Sequence, residues 1–208
     1  MRLLLPNLDP ADHPESARSL GQLEVICSKQ DLRVVPVDDL AATTVGDFDA
    51  LLLAGGFRPS NEPQPGWYRP LVELVQGSGK PVLGIGLGFE LVCAAYGASL
   101  VELGELAAGA PVMVPTEDGT RLFQGTDPLR VAEAVRWLVA AEDLPKVLQV
   151  LAASETGIEA VKHRTLPAYG VQLYPEDFTY PSDGKLVYEN LLSALQKAAP
   201  ALPAVQPA

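Results

Sequence analysis

The run Pro81-Val82-Leu83-Gly84-Ile85-Gly86-Leu87-Gly88-Phe89-Glu90 constrains the fold of this chain more than any other stretch. Val82 and Leu83 are apolar and β-prone. Phe89, Leu91, Val92, Ala94 and Ala95 read as a buried helix, so the segment is a strand, a sharp turn and a helix. Glycine at 84 and 88 lets the backbone bend tightly and approach a ligand. The apex residue of such a turn is held in a strained conformation that lifts its side chain above the sheet. Here the apex is Gly86, which has no side chain to lift.

Strands alternate with helices through the first half. Strands are expected at Arg2 to Leu5, Arg33 to Val37, Ala50 to Leu53 and Pro81 to Leu83, with helices from about Glu15 to Gln30 and from Tyr68 to Gln76. Tyr68, Leu71, Val72 and Val75 share one helical face. This is the pattern of a parallel sheet covered by helices. The Pro, Gly and Asn-rich loop from Ala54 to Gly66, with Arg58, Pro59, Ser60 and Asn61, follows a strand's C-terminal end and is expected to border a pocket. The second half holds shorter β-like runs at Pro111 to Val114, Leu129 to Val131, Val147 to Ala152, Ile158 to Lys162 and Ala168 to Leu173. A last amphipathic helix follows, with Tyr188, Leu191, Leu192 and Leu195 on its buried face.

Three ordered segments resemble the class I glutamine amidotransferases. That family carries Gly-Ile-Cys-Leu-Gly, a variable residue and Gln at its nucleophile turn; this chain has Gly84-Ile85-Gly86-Leu87-Gly88-Phe89-Glu90. The family's Pro-x-x-Gly-Val-Gln-Phe-His-Pro-Glu is similar to Pro167-Ala168-Tyr169-Gly170-Val171-Gln172-Leu173-Tyr174-Pro175-Glu176. Leu51-Leu52-Leu53-Ala54-Gly55-Gly56 resembles the strand and glycine pair that supply one oxyanion-hole amide. The resemblance covers about residues 1 to 195 and implies an α/β, flavodoxin-like three-layer sandwich. Its central sheet would be mostly parallel, with helices on both faces and a smaller antiparallel β portion in the second half. Residues 1–198 would form one such domain, and the Pro/Ala-rich residues 199–208 a disordered tail.

Carried over by position, the family's nucleophile, base and orienting acid fall on Gly86, Tyr174 and Glu176. Glycine cannot attack an amide. A phenol with an ordinary pKa near ~10 cannot replace an imidazole near ~6.5 as a proton acceptor at neutral pH. Loss of nucleophile or base from a triad costs roughly a millionfold, and losing both costs little more because they act as one unit. The resemblance therefore implies a degenerate member that does not hydrolyse glutamine. Cys93 lies beyond Gly86 along the helix, below the mouth of the site at ~1.5 Å rise per residue, and reads as a core cysteine. Cys27 reads as structural, and His13 and His163 as surface or loop residues. Trp137, where related sequences often have a histidine, reads as a core aromatic.

Gly55, Gly56, Leu87 and Glu90 are the expected ligand-binding residues. The amides of Gly56 and Leu87 with the helix start could hold an anion or a carbonyl oxygen. Glu90 stands where the family has Gln, which either changes charge recognition in the pocket or only complements the helix dipole.

Among 208 residues the net charge is −11 and no basic run occurs, which argues against nucleic acid and against anionic membranes. Two cysteines, no apolar run approaching ~18 residues and no charged-then-apolar leader point to a cytoplasmic protein. No metal or cofactor is expected. The family's glutaminases deliver ammonia to a partner, so the expected partners are a synthetase-type protein or a second copy, besides a small amino-acid-like ligand. An alternative is an enzyme of altered chemistry that uses Tyr174, Glu176 and Glu90. A dinucleotide loop is a weaker reading, because the spacing is Gly-x-Gly-x-Gly and the turn follows a later strand.

Overall fold

The computed structural model describes residues 1–8, 16–42, 45–54, 68–120, 122–124, 129–174 and 183–199. In chain order the elements are β1 (Arg2–Asn7), α1 (Ser16–Ile26), β2 (Asp31–Pro36), β3 (Ala50–Leu53), α2 (Tyr68–Gly77), β4 (Val82–Ile85), α3 (Leu87–Ala95), β5 (Leu100–Gly109) and β6 (Val112–Pro115). They continue with β7 (Leu129–Arg130), β8 (Glu133–Val139), β9 (Leu148–Ala153), β10 (Ile158–His163), β11 (Ala168–Val171) and α4 (Gly184–Ala198).

One sheet runs β2-β1-β3-β4-β11-β10-β9-β6-β7. Its first five strands are parallel, and the pairings from β11 outward are antiparallel. This is the expected three-layer α/β architecture with an antiparallel extension. Strands β3 and β4 are buried along their whole length, and β1 over its middle four residues, because both faces of the sheet are covered there. Leu3, Leu5, Leu52, Leu83 and Ile85 pack with α1 and α4 residues such as Leu23, Val187 and Leu191. Leu4, Leu51, Leu53 and Val82 pack on the other face with Leu71 and Val75 of α2 and Leu91 and Val92 of α3. A third cluster, Phe89, Cys93, Val139, Leu148, Ile158 and Val161, carries the core under the antiparallel strands.

Several boundaries moved for identifiable reasons. The first helix ends at Ile26, short of Gln30, because the chain turns at Cys27 to bring Asp31 N onto Met1 O at 3.0 Å, where β2 begins. Pairing with β1 thus starts β2 two residues before the expected Arg33. Strands β5 and β8 were not expected. They form a separate two-stranded antiparallel ribbon with a register irregularity between Glu102 and Ala107. β5 is largely exposed, with Val101 and Leu106 at the surface, so it lacks the apolar alternation that marks a half-buried strand. The final helix buries Tyr188, Leu191, Leu192 and Leu195 as its spacing requires. The expected tail from 200 onward and the loop at 55–66 lie outside the described residues. No helix among the described residues is long and apolar enough to cross a membrane.

Candidate functional site

The turn between β4 and α3 sets the geometry. Gly86 has φ 57° and ψ −117°, a backbone conformation that side chains with a Cβ adopt only under strain. Its carbonyl accepts the amides of Phe89 at 2.9 Å and Glu90 at 3.2 Å, which starts α3 directly at the apex. Its own amide donates to Val171 O at 3.0 Å.

The flanking glycines serve the interior. A Cβ on Gly84 would lie 2.2 Å from Gly88 O, and a Cβ on Gly88 would lie 2.0 Å from Leu53 O. Strand β4, helix α3 and strand β3 are therefore in backbone contact at the elbow, and the close approach made possible by these glycines is internal rather than toward a ligand. This also removes the reason to read the turn as an open phosphate loop.

β4 and β11 are parallel neighbours, with Gly84 opposite Gly170 and Ile85 opposite Val171. Residues 172–174 therefore leave β11 at the same end of the sheet at which Gly86 leaves β4. Tyr174 is half-buried, and its amide donates to Ala132 O at 2.8 Å. Leu87 is the first residue of α3, with its side chain buried among the α2–α3 core residues. Glu176, Gly55 and Gly56 lie outside the described residues.

Glu90 is enclosed by the fold. Only 7% exposed, it receives a side-chain hydrogen bond from Gln172, itself 2% exposed. Burial pushes its carboxyl up to about 8, and the bond from Gln172 offsets only part of that. At neutral pH the group is mostly a neutral acid, which removes the charge that would complement the helix dipole. Its Oε2 and the Oε1 of Gln172 have no hydrogen-bond partner among the described residues.

The other nucleophile and base candidates sit apart from the elbow. Cys93 is fully buried, and its thiol is pushed far above its ordinary range by burial and then by Glu90. Cys27 is fully buried in the α1 core. His163 ends β10 near the start of β4, opposite the elbow, where its Nδ1 accepts the amides of Thr165 and Leu166 at 3.2 and 3.0 Å. Its ring packs against Tyr96 with centroids 4.6 Å apart. His13 is outside the described residues, and no cluster of potential metal ligands occurs among those described. Trp137, on β8, is half-buried.

The family described as glutamine amidotransferase class-I matches residues 13–194. This chain belongs to the class I glutamine amidotransferase family. Among its relatives, a glutamine-hydrolyzing GMP synthase subunit of Methanothermobacter thermautotrophicus is 33% identical over 156 residues, 74% of this chain and 77% of that protein. The anthranilate synthase component II of Haloarcula marismortui is 36% identical over 122 residues, 57% of this chain and 63% of that protein. The match thus spans less than two thirds of the latter's length. Among solved structures, a glutamine amidotransferase from Thermotoga maritima superposes with a TM-score of 0.73 at 17% identity, over 95% of this chain and 97% of that one. The two chains share this fold.

The buried acids Glu133 and Glu159 were not anticipated from the sequence. Nothing local marked them, because the two residues lie on strands that are not neighbours in the chain.

Proposed function

We propose that this chain is a degenerate class I glutamine amidotransferase domain, residues 1–198, that does not hydrolyse glutamine and acts by binding. One observation carries the reading: the backbone at residue 86 has the strained shape of a nucleophile turn, and the residue in it is glycine. The register of β4 with β11 supports the placement of Tyr174 at the base position, beside the turn. Buried Cys93, with its raised thiol, offers no substitute nucleophile. Two relatives are named as a GMP synthase subunit and an anthranilate synthase component. By analogy this chain docks on a synthetase-type partner, or holds a small amino-acid-like ligand at the elbow.

The alternative, altered chemistry through Tyr174, Glu176 and Glu90, gains one point from the raised Glu90 carboxyl. Against it, that carboxyl is buried and spends a hydrogen bond on Gln172 inside the fold. A group that transfers protons to substrate has to reach it, so the binding reading is preferred.

Purified protein is expected to release no ammonia from glutamine above the uncatalysed background, beyond a residual ~10³-fold at most from a remaining oxyanion hole. A normal glutaminase turnover in a coupled ammonia assay would overturn the proposal. The double variant Gly86→Cys with Tyr174→His is expected to recover weak activity, because Glu90 still departs from the family pattern. It should also lose about 1–3 kcal/mol of stability in denaturant titration, since a Cβ enters a positive-φ conformation that glycine occupies without strain.

A further inference from the structure

Two carboxylic acids lie inside the fold on the side of residues 172–174 away from the elbow. Glu133, which opens β8, is 7% exposed, and Glu159 in β10 is 1% exposed. The ladder between β9 and β10 slips here: Ile158 pairs with Ala153 and Ala160 with Ala152, which leaves Glu159 opposite no residue. An irregularity of this kind re-aims a side chain out of the strand's normal alternation. Ile158, Glu159 and Ala160 are accordingly all buried.

Each acid has one oxygen satisfied from the β9–β10 turn. Ser154 Oγ donates to Glu159 Oε1 at 2.5 Å, and Thr156 Oγ1 donates to Glu133 Oε1 at 2.9 Å. The Oε2 atoms are buried and receive no donor among the described residues. The two carboxyl groups are within hydrogen-bonding reach of each other. Two ionised carboxylates at that separation repel strongly, whereas one shared proton turns the contact into a hydrogen bond.

The pair also grips the segment beside the elbow. Glu159 O accepts the amide of Gln172 at 2.7 Å, and Ala132 O, one residue before Glu133, accepts the amide of Tyr174 at 2.8 Å. Residues 172–174 are thus tied by backbone hydrogen bonds to β10 and to the residue that precedes β8. We propose that the Glu133–Glu159 pair is a proton-operated latch on residues 172–174, closed while the two carboxyls share a proton and released when that proton is lost.

The groups around the latch favour holding the proton. Burial raises both carboxyls above their ordinary range, Glu155 in the turn adds negative charge at Glu133, and Ser154 and Thr156 offset part of this as hydrogen-bond donors. From α3, Glu90 reaches the same segment through Gln172. Among the described residues no cation contributes to the charge balance of the pair. Because the folded state holds a proton that the unfolded chain has already released, the latch weakens as pH rises from about 4.5 and is fully lost once Glu159 ionises within the fold at about 7. It acts whether or not the elbow is catalytic.

Amide hydrogen exchange on the full chain, followed by NMR from about pH 4 to about pH 9, tests this. After correction for intrinsic exchange, protection at Gln172 and Tyr174 should fall by about tenfold per pH unit between about pH 4.5 and about pH 7 and level off above. Both E133Q and E159Q replace the shared proton with a permanent amide donor and should make the Tyr174 profile flat; if one does not fold, the other decides. In E90Q the fall at Tyr174 between about pH 4.5 and about pH 7 should persist, whatever Glu90 adds through Gln172 in the unsubstituted chain. Flat protection in the unsubstituted chain would overturn the latch. So would a pH dependence that survives a folded E133Q or E159Q, or one that disappears in E90Q.

Discussion

Gly88→Ala is expected to abolish the folded state or leave only a loosely packed one. The added Cβ would lie 2.0 Å from Leu53 O and 2.6 Å from Leu53 C, far inside contact distance, and both are backbone atoms of β3. A flexible side chain could swing away, but β3 cannot move without breaking its pairing with β1 and β4. The alternative is to lift α3, which carries the fully buried Phe89, Leu91, Val92 and Cys93. Ordinary overpacking costs about 1–3 kcal/mol, and a backbone clash lies above that range. Total stability of a domain is only about 5–15 kcal/mol, so the loss is a large share of it. Gly84→Ala, which meets Gly88 O at 2.2 Å, should act similarly. Gly21→Ala is the control: it sits in α1 with nothing within 4 Å and should gain about 0.5–1 kcal/mol from helix propensity. Circular dichroism melts separate the cases. A Gly88→Ala protein that melts like the unsubstituted chain would show that α3 does not pack on β3 as described.

The second large effect is a pH-dependent gain from E90Q. The Glu90 carboxyl titrates at about 8 when folded against an ordinary 4.5, so the folded state holds a proton that the unfolded chain releases between those values. Its contribution is complete below about pH 4.5 and is lost progressively as pH rises to about 8. At about 1.4 kcal/mol per pH unit, the accumulated loss at alkaline pH is on the order of several kcal/mol, partly relieved by local rearrangement. E90Q cannot ionise, and its amide can donate to the unpartnered Gln172 Oε1. It should therefore match the unsubstituted chain near pH 5 and be more stable, by several degrees in Tm, near pH 8 to 9. The Glu133–Glu159 pair tilts both proteins in the same direction, so the difference between them at each pH isolates Glu90. A constant difference across that range would mean that the Glu90 carboxyl is ionised in the fold at neutral pH.

These two residues also divide what could be read early from what could not. Apolar runs at β1, β3 and β4, the strand-turn-helix around Gly86 and the buried face of α4 all follow from local patterning, since a period of two or of about 3.6 residues needs no knowledge of distant contacts. The family resemblance rested on the same short segments and led to the fold class that the match over residues 13–194 supports. Strands β5 and β8 escaped notice because β5 exposes most of its length, and periodicity reports only burial on one side.

The amino-acid order alone determined that the elbow has no nucleophilic side chain, because a side chain is present or absent whatever the chain does around it. Tertiary structure decided that β11 lies beside β4, that Glu90 is a neutral acid at neutral pH, and that Glu133 and Glu159 meet. Sheet order and ionisation depend on which distant segments pack together and on how completely they exclude water, and no local pattern encodes either.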